Sequence, residues 1–216
     1  MGEIARACAA RGTDLLIIST NEVFDGARTD GRGYAPDDER NPINAYGTAK
    51  AAAEQLASEA FAGSAGRLAI VRTAWLFGAH GKNFVDTILK LAATRETLQV
   101  VSDQKGCPTW AGHLAPALVT LAESNATGIF HAAGGGRCTW FDLAAAALAA
   151  TGSPCTVEPT TSEAFPSPTP RPAFSVLGTE RGADAVHLPP WEEGLAGFLA
   201  GRPVAGTDIT TTGDPR

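Results

Sequence analysis

Residues 14–22 read Asp14-Leu15-Leu16-Ile17-Ile18-Ser19-Thr20-Asn21-Glu22, an unbroken apolar run that ends in small polar residues. A strand with one wet face would alternate apolar and polar; a continuous run suits a parallel strand buried on both faces. Arg67–Thr73 (RLAIVRT) repeats the pattern, and Gly128–His131 (GIFH) is a shorter third case. Between and around these runs the sequence predicts helices over 3–11, 45–60, 83–95, 112–123 and 139–151, with a short strand at 98–101. Gly12 ends the first helix, and Thr139 is placed to cap the last of these. Strand and helix alternating in this way is the mark of an α/β fold built on a parallel sheet.

The texture changes downstream. Pro154, Pro159, Pro166, Pro168, Pro170 and Pro172 crowd a short stretch that can be neither helix nor central strand. Residues 152–190 therefore read as an irregular lobe, followed by a final helix from Trp191 to about Ala200. The polar residues 201–216 read as a disordered tail, and 25–43, rich in Gly, Asp, Arg and Pro, as a long surface loop.

The 216 residues are 44% hydrophobic with a formal net charge of −6. That supports a sizeable core and excludes a global basic footprint for nucleic acid. No apolar run approaches the roughly 20 residues of a membrane helix. The N-terminus lacks the apolar core of a signal peptide, so the expected compartment is cytoplasmic. Cys8, Cys107, Cys138 and Cys155 are widely spaced and the four histidines scattered, so free thiols and no metal site are expected.

The chemistry concentrates at the ends of the strands. Ser19, Thr20 and Asn21 stand at the carboxyl end of the first, where open α/β sheets bind ligands. Trp75 stands just beyond the second, where an indole can stack on a sugar or base. Tyr46 and Lys50 lie four apart at the start of the 45–60 helix and share a face. A phenol near an ammonium exchanges its proton more readily at neutral pH than one alone, because the cation favours the phenolate. Tyr-x-x-x-Lys also arises by chance, so the pair gains meaning only from the hydroxyls beside it.

The segments STNEVFDG (19–26), NPINAYGTAKAAAE (41–54), VRTAWLFGAHGKNFVDTILKLA (71–92), LQVVSDQKGCPTW (98–110), GIFHAAGGGRCTWFDLA (128–144) and PTPRPAFSVL (168–177) resemble, in order, landmarks of the dTDP-4-dehydrorhamnose reductase family of extended short-chain dehydrogenase/reductases. The resemblance runs from about Ile4 to Phe198. It implies a Rossmann-like sheet with a small substrate-binding lobe, NADPH or NADH as cofactor, and reduction of the 4-keto group of a dTDP-4-keto-6-deoxy sugar. It implies Tyr46 as proton donor and Lys50 as the lysine on the nicotinamide ribose, with Ser19 also at the cofactor. Thr20 would hydrogen-bond the substrate oxygen. Asn21, Trp75, Asn83, Gln104 and Arg171 are the further substrate-binding candidates. Asn21 stands where the family usually has Asp, and Glu22 where tyrosine is common, which bears on sugar preference. A dTDP-sugar is the expected partner, and the resemblance allows a homodimer.

On the same resemblance, residues 1–151 would be the remaining part of a dinucleotide-binding domain with lobe segments interleaved at about 78–112. Residues 152–200 would be mainly substrate lobe and last helix. The family's opening strand and GxxGxxG turn have no counterpart here, so the chain is expected to lack them and to hold NAD(P)H poorly alone. Gly134-Gly135-Gly136 follows a strand and precedes a helix, yet no acidic residue follows about twenty positions on, and it reads as a turn. Asn83 can equally start a helix, Gln104 with Asp103, Pro108 and Thr109 can equally hold a loop, and Arg171 can equally form a surface ion pair. A regulatory or truncated homologue without catalysis, or another sugar-nucleotide epimerase or reductase, is the alternative reading.

Overall fold

The computed structural model describes residues 1–165, 167–178 and 186–202. The opening run forms β1 (Leu15–Thr20), which pairs in parallel with β2 (Leu68–Thr73). On its other side β2 pairs in parallel with β7 (Gly128–His131), so the sheet order is β1-β2-β7. One face is covered by α1 (Gly2–Ala10) and α2 (Ala45–Phe61), where Ala5 and Ala57 meet Ile17 and Ile70. The other is covered by α4 (Ala111–Glu123), whose Leu114 packs with Ala69, Val71 and Phe130. Helices on both faces are the reason these strands carry apolar residues without alternation.

A second layer is built from α3 (Phe84–Ala92), β4 (Thr97–Val101), α5 (Trp140–Ala150) and β9 (Thr156–Thr160). Ile88, Leu98, Val100, Ala144 and Leu148 form its core. Thr139 and Asp142 make a reciprocal capping box at the start of α5, satisfying two otherwise orphaned backbone donors. Short pairs β3 (Leu76–Phe77) with β6 (Thr109–Trp110), and β5 (Lys105–Gly106) with β8 (Cys138–Thr139), tie the layers together. The final helix, α6 (Trp191–Ala200), lays Trp191, Leu195 and Phe198 against Phe77 and Leu143. Among the described residues no helix is long and apolar enough to cross a membrane.

The expected helices and strands form within about three residues of their predicted ends, but two segments differ. The proline-rich stretch contains β9, which includes Pro159. It survives because, among the described residues, β9 pairs only with β4, in a two-stranded sheet where the missing N–H faces no partner. The 25–43 segment is not a free surface loop. Tyr34 is buried, stacks on Phe24 with ring centroids 4.2 Å apart, and exchanges backbone hydrogen bonds with Val176 and Gly178. Of the expected tail, residues 203–216 lie outside the described residues.

The start of α2 is pressed against the turn after β1. Asn44 caps the helix by accepting from the Gly47 N–H at 2.8 Å, and donates to Glu22 Oε2 at 2.7 Å and to the Pro170 carbonyl at 3.0 Å. A Cβ on Gly47 would meet the Glu22 carbonyl oxygen at 2.0 Å. Gly47→Ala should therefore push the helix start away and lower stability by about 1–3 kcal/mol, read from urea denaturation.

Candidate active site

On α2, Tyr46, Lys50 and Glu54 stand at successive steps of four and share one face. Glu54 is fully buried, and so is Arg72 of β2, at 1% exposure. They form a bidentate pair, Arg72 Nε to Glu54 Oε1 at 2.9 Å and Nη2 to Oε2 at 2.7 Å. Ser19 of β1 donates to the same carboxylate, and Arg40 reaches it at 3.4 Å. The remaining Arg72 donor goes to the Pro36 carbonyl at 3.0 Å and lies 3.4 Å from His131 Nε2. His131 Nδ1 in turn sits 2.8 Å from the Gly178 carbonyl. Burial alone would raise the Glu54 carboxyl, but Arg72, Ser19 and Arg40 outweigh it and hold it below its usual range. Burial, with Arg72 nearby, pushes His131 down from 6.5 to about 4, so it is neutral at pH 7.

That network fixes the upper half of the helix face over one cavity of about 740 Å³. Ser19, Thr20, Asn21, Tyr46, Lys50, Trp75, Gln104 and Arg171 all line it. Asn83 is the candidate that does not. It caps α3, accepting from the Asp86 N–H at 2.9 Å and donating to the Gly78 carbonyl at 3.0 Å. Tyr46 is half exposed, and Lys50 Nζ lies 5.9 Å from its ring centroid while donating to the Ile18 carbonyl at 3.0 Å. Thr20 Oγ1 donates to Asn21 Oδ1 and accepts from the Glu22 N–H, both at 3.2 Å. Ser19 faces Glu54 through its hydroxyl, which makes it a support of α2 in this structure.

Part of the lining is aromatic. Trp75 adopts a left-handed backbone, φ 44°, which a side-chain-bearing residue rarely holds without tertiary support. The conformation lays its indole on Trp140, with centroids 3.5 Å apart and planes 8° from parallel. Gly106 makes room, since a Cβ there would meet the Trp75 ring at 2.4 Å. Trp140 Nε1 donates to Gln104 Oε1 at 3.1 Å, and Gln104 Nε2 donates to Ser162 Oγ at 2.8 Å. Gln104 thus both lines the cavity and ties the loop to the second layer. Asp103 accepts from the Ser162 N–H and hydroxyl.

Arg171 closes the rim by an ion pair with Glu22, whose other oxygen is held by Asn44. The glycine cluster is spoken for. A Cβ on Gly134 would meet the Pro108 carbonyl at 2.0 Å, and Gly135 exchanges backbone hydrogen bonds with Pro189 and Trp191. These glycines pack backbone on backbone and form no cradle for a phosphate.

Residues 1–202 match the model of the RmlD substrate binding domain. The chain belongs to this family. A dTDP-4-dehydrorhamnose reductase of Mycolicibacterium smegmatis is 40% identical over 212 residues, covering 96% of this chain and 63% of the relative. A dTDP-4-keto-6-deoxy-D-glucose reductase of Streptomyces niveus is 40% identical over 188 residues, covering 87% and 64%. Among solved structures, dTDP-4-dehydrorhamnose reductase from Bacillus anthracis in complex with NADP superposes with a TM-score of 0.85 at 34% identity, over 93% of this chain and 70% of that one. The chain thus spans a little under two thirds of the length of the curated relatives named here.

Trp140 in the cavity wall, and Glu54 and Arg72 behind it, are residues of this region that the sequence reading did not single out. A signal existed for Glu54 and Arg72: a carboxylate one step of four beyond Lys50, and an arginine inside an apolar strand. Trp140 had none, because its partner lies 65 positions away in the chain and meets it only through the fold.

Two outcomes follow from the buried pair. Glu54→Leu should destabilise by about 3–5 kcal/mol, since Arg72 is left buried without its counter-charge, whereas adding Arg72→Met should recover much of the loss. Stability should also fall as pH drops from 6.5 to about 4, because the unfolded chain then protonates His131 and the folded one resists. Below that window the Glu54 contribution is lost as well, its carboxyl being held low in the folded state. His131→Gln should flatten the slope of denaturation free energy above pH 4.5.

Proposed function

We propose that the protein acts as the proton-donating and substrate-binding part of an NAD(P)H-dependent reductase of nucleotide sugars. The substrate is a dTDP-4-keto-6-deoxy sugar, reduced at C4, as in the conversion of dTDP-4-dehydrorhamnose to dTDP-rhamnose. The observation that carries this is the convergence of Tyr46, Lys50 and Thr20 on one cavity at the carboxyl end of β1, facing Trp75 across it. The names of the similar proteins agree with it. The compartment proposed is the cytoplasm, and a homodimer is compatible with the reading.

The cavity fits the nicotinamide end of a cofactor in one respect. Lys50 presents an ammonium and Tyr46 a phenol at the strand end, where a ribose diol can take hydrogen bonds from both. Bound NADPH or NADH would supply the hydride. As the carbonyl oxygen gains charge, Tyr46 gives up its phenolic proton to it, and Thr20 turns its hydroxyl from Asn21 toward the same atom. Donors aimed at charge that appears only in the transition state lower the barrier. Lys50 stays on the Tyr46 side and supports the phenolate left behind. The indole of Trp75 offers a face to the sugar, and Arg171, released from Glu22, a fork for the diphosphate. Residues 78–112 and 152–200 supply most of this substrate side, and 1–151 the sheet beneath it.

A second reading, a homologue of this fold that binds sugar nucleotides without reducing them, is favoured by one observation. The glycine turn 134–136 is packed against Pro108, Pro189 and Trp191, which leaves no cradle there for a pyrophosphate. The two readings separate in one assay, NADPH consumption with a dTDP-4-keto-6-deoxyhexose at saturating cofactor. Turnover that falls about 100-fold or more in Tyr46→Phe is the expected result; equal rates in the two proteins would sink the proton-donor role. Fluorescence titration should show NADPH binding weaker than micromolar, and tight binding would remove the second reading's support.

A further inference from the structure

Thr73 ends β2, directly beside Thr20 in the parallel register. Strand alternation puts Ser19 and Arg72 on the face of α2, where both meet Glu54, and puts Thr20 and Thr73 on the other. The Thr73 residue is 93% buried, lines the cavity, and its Oγ1 is the buried side-chain polar atom without a hydrogen-bond partner among the described residues. Its buried hydroxyl neighbours are all engaged. Ser19 donates to Glu54, Thr20 to Asn21, Thr109 to the Cys107 carbonyl and Ser175 to the Lys105 carbonyl. A buried hydroxyl with no partner is destabilising, so natural proteins seldom keep one without a use.

The surroundings narrow what it meets. Arg72 is spent on Glu54, and Lys50, held on the Ile18 carbonyl, projects from α2 on the Tyr46 side, so a neutral oxygen is the partner that suits the Thr73 hydroxyl. Thr20 and Thr73 stand on adjacent strands about 4.8 Å apart. That spacing lets two hydroxyls address neighbouring oxygens of one pyranose ring. Resting on the reductase reading above, we propose that Thr73, by a rotation about χ1 that brings its buried hydroxyl to the cavity, binds the sugar hydroxyl adjacent to the carbonyl that Thr20 meets, and so selects which keto-sugars enter.

The test uses Thr73→Val, which keeps the shape and deletes the hydroxyl, with Thr73→Ser as the conservative control. Calorimetric titration is run with dTDP-rhamnose and with dTDP, and thermal melting on the free proteins. Thr73→Val should melt no lower than wild type, weaken dTDP-rhamnose binding about tenfold, and leave dTDP unchanged; Thr73→Ser should restore the affinity. A lower melting temperature in Thr73→Val means the hydroxyl has a structural partner, and overturns the inference. So does unchanged dTDP-rhamnose affinity, or an equal loss for dTDP. An effect on NADPH binding alone would place the hydroxyl at the cofactor and also overturn it. Wild-type protein that binds dTDP but gains nothing from the sugar overturns the reductase reading itself, and this inference with it.

Discussion

The ion pair between Glu54 and Arg72 joins the helix that carries Tyr46 and Lys50 to the sheet whose strand ends line the cavity. Two opposite charges at 1% side-chain exposure hold together only when they are well partnered, and here each nitrogen and oxygen of the pair has a hydrogen-bond partner. The carboxylate takes two bonds from Arg72 and one from Ser19, so α2, β2 and β1 meet at one group. An apolar contact in its place could slide. A bidentate pair sets both the rotation and the height of α2, and with them where Tyr46 and Lys50 project, two turns and one turn above. The price is a buried charge network that also includes a neutral histidine, so the scaffold loses stability in acid.

The cavity is asymmetric for the same architectural reason. Its polar wall comes from strand ends and the first turns of α2, where short side chains and backbone groups converge. Its apolar wall comes from the second layer, where Trp75 bridges the two by taking a backbone conformation unfavourable for a tryptophan. Stacking on Trp140 and the missing side chain at Gly106 hold that conformation in place. Polar side chains and aromatic rings therefore line one space.

Much of the scaffold was legible before the fold was known, because it rests on local rules. LLIIST (15–20) is apolar throughout because both faces of β1 are covered, and β2 obeys the same constraint. Thr139 announced a helix start by residue type. The strand at 156–160 was hidden because its proline is tolerated only on an edge, and edge position depends on what does not pair with it. Tyr34 looked like part of a wet loop because its burial is supplied by Phe24 and a segment 140 residues downstream.

For the site, sequence alone determined the ingredients: a phenol and an ammonium four apart on a helix, and hydroxyls at a strand end. Periodicity suffices there, since one helical turn and one strand terminus fix those neighbours. Only the tertiary structure decided their company. It brought Arg171 onto Glu22, laid Trp140 under Trp75, turned Asn83 away to cap a helix, and left the buried Thr73 hydroxyl without a partner among the described residues. These pairings span tens to more than a hundred residues, apart from the local cap at Asn83. They exist because packing and hydrogen-bond satisfaction are conditions on the whole fold, which no short window of sequence contains.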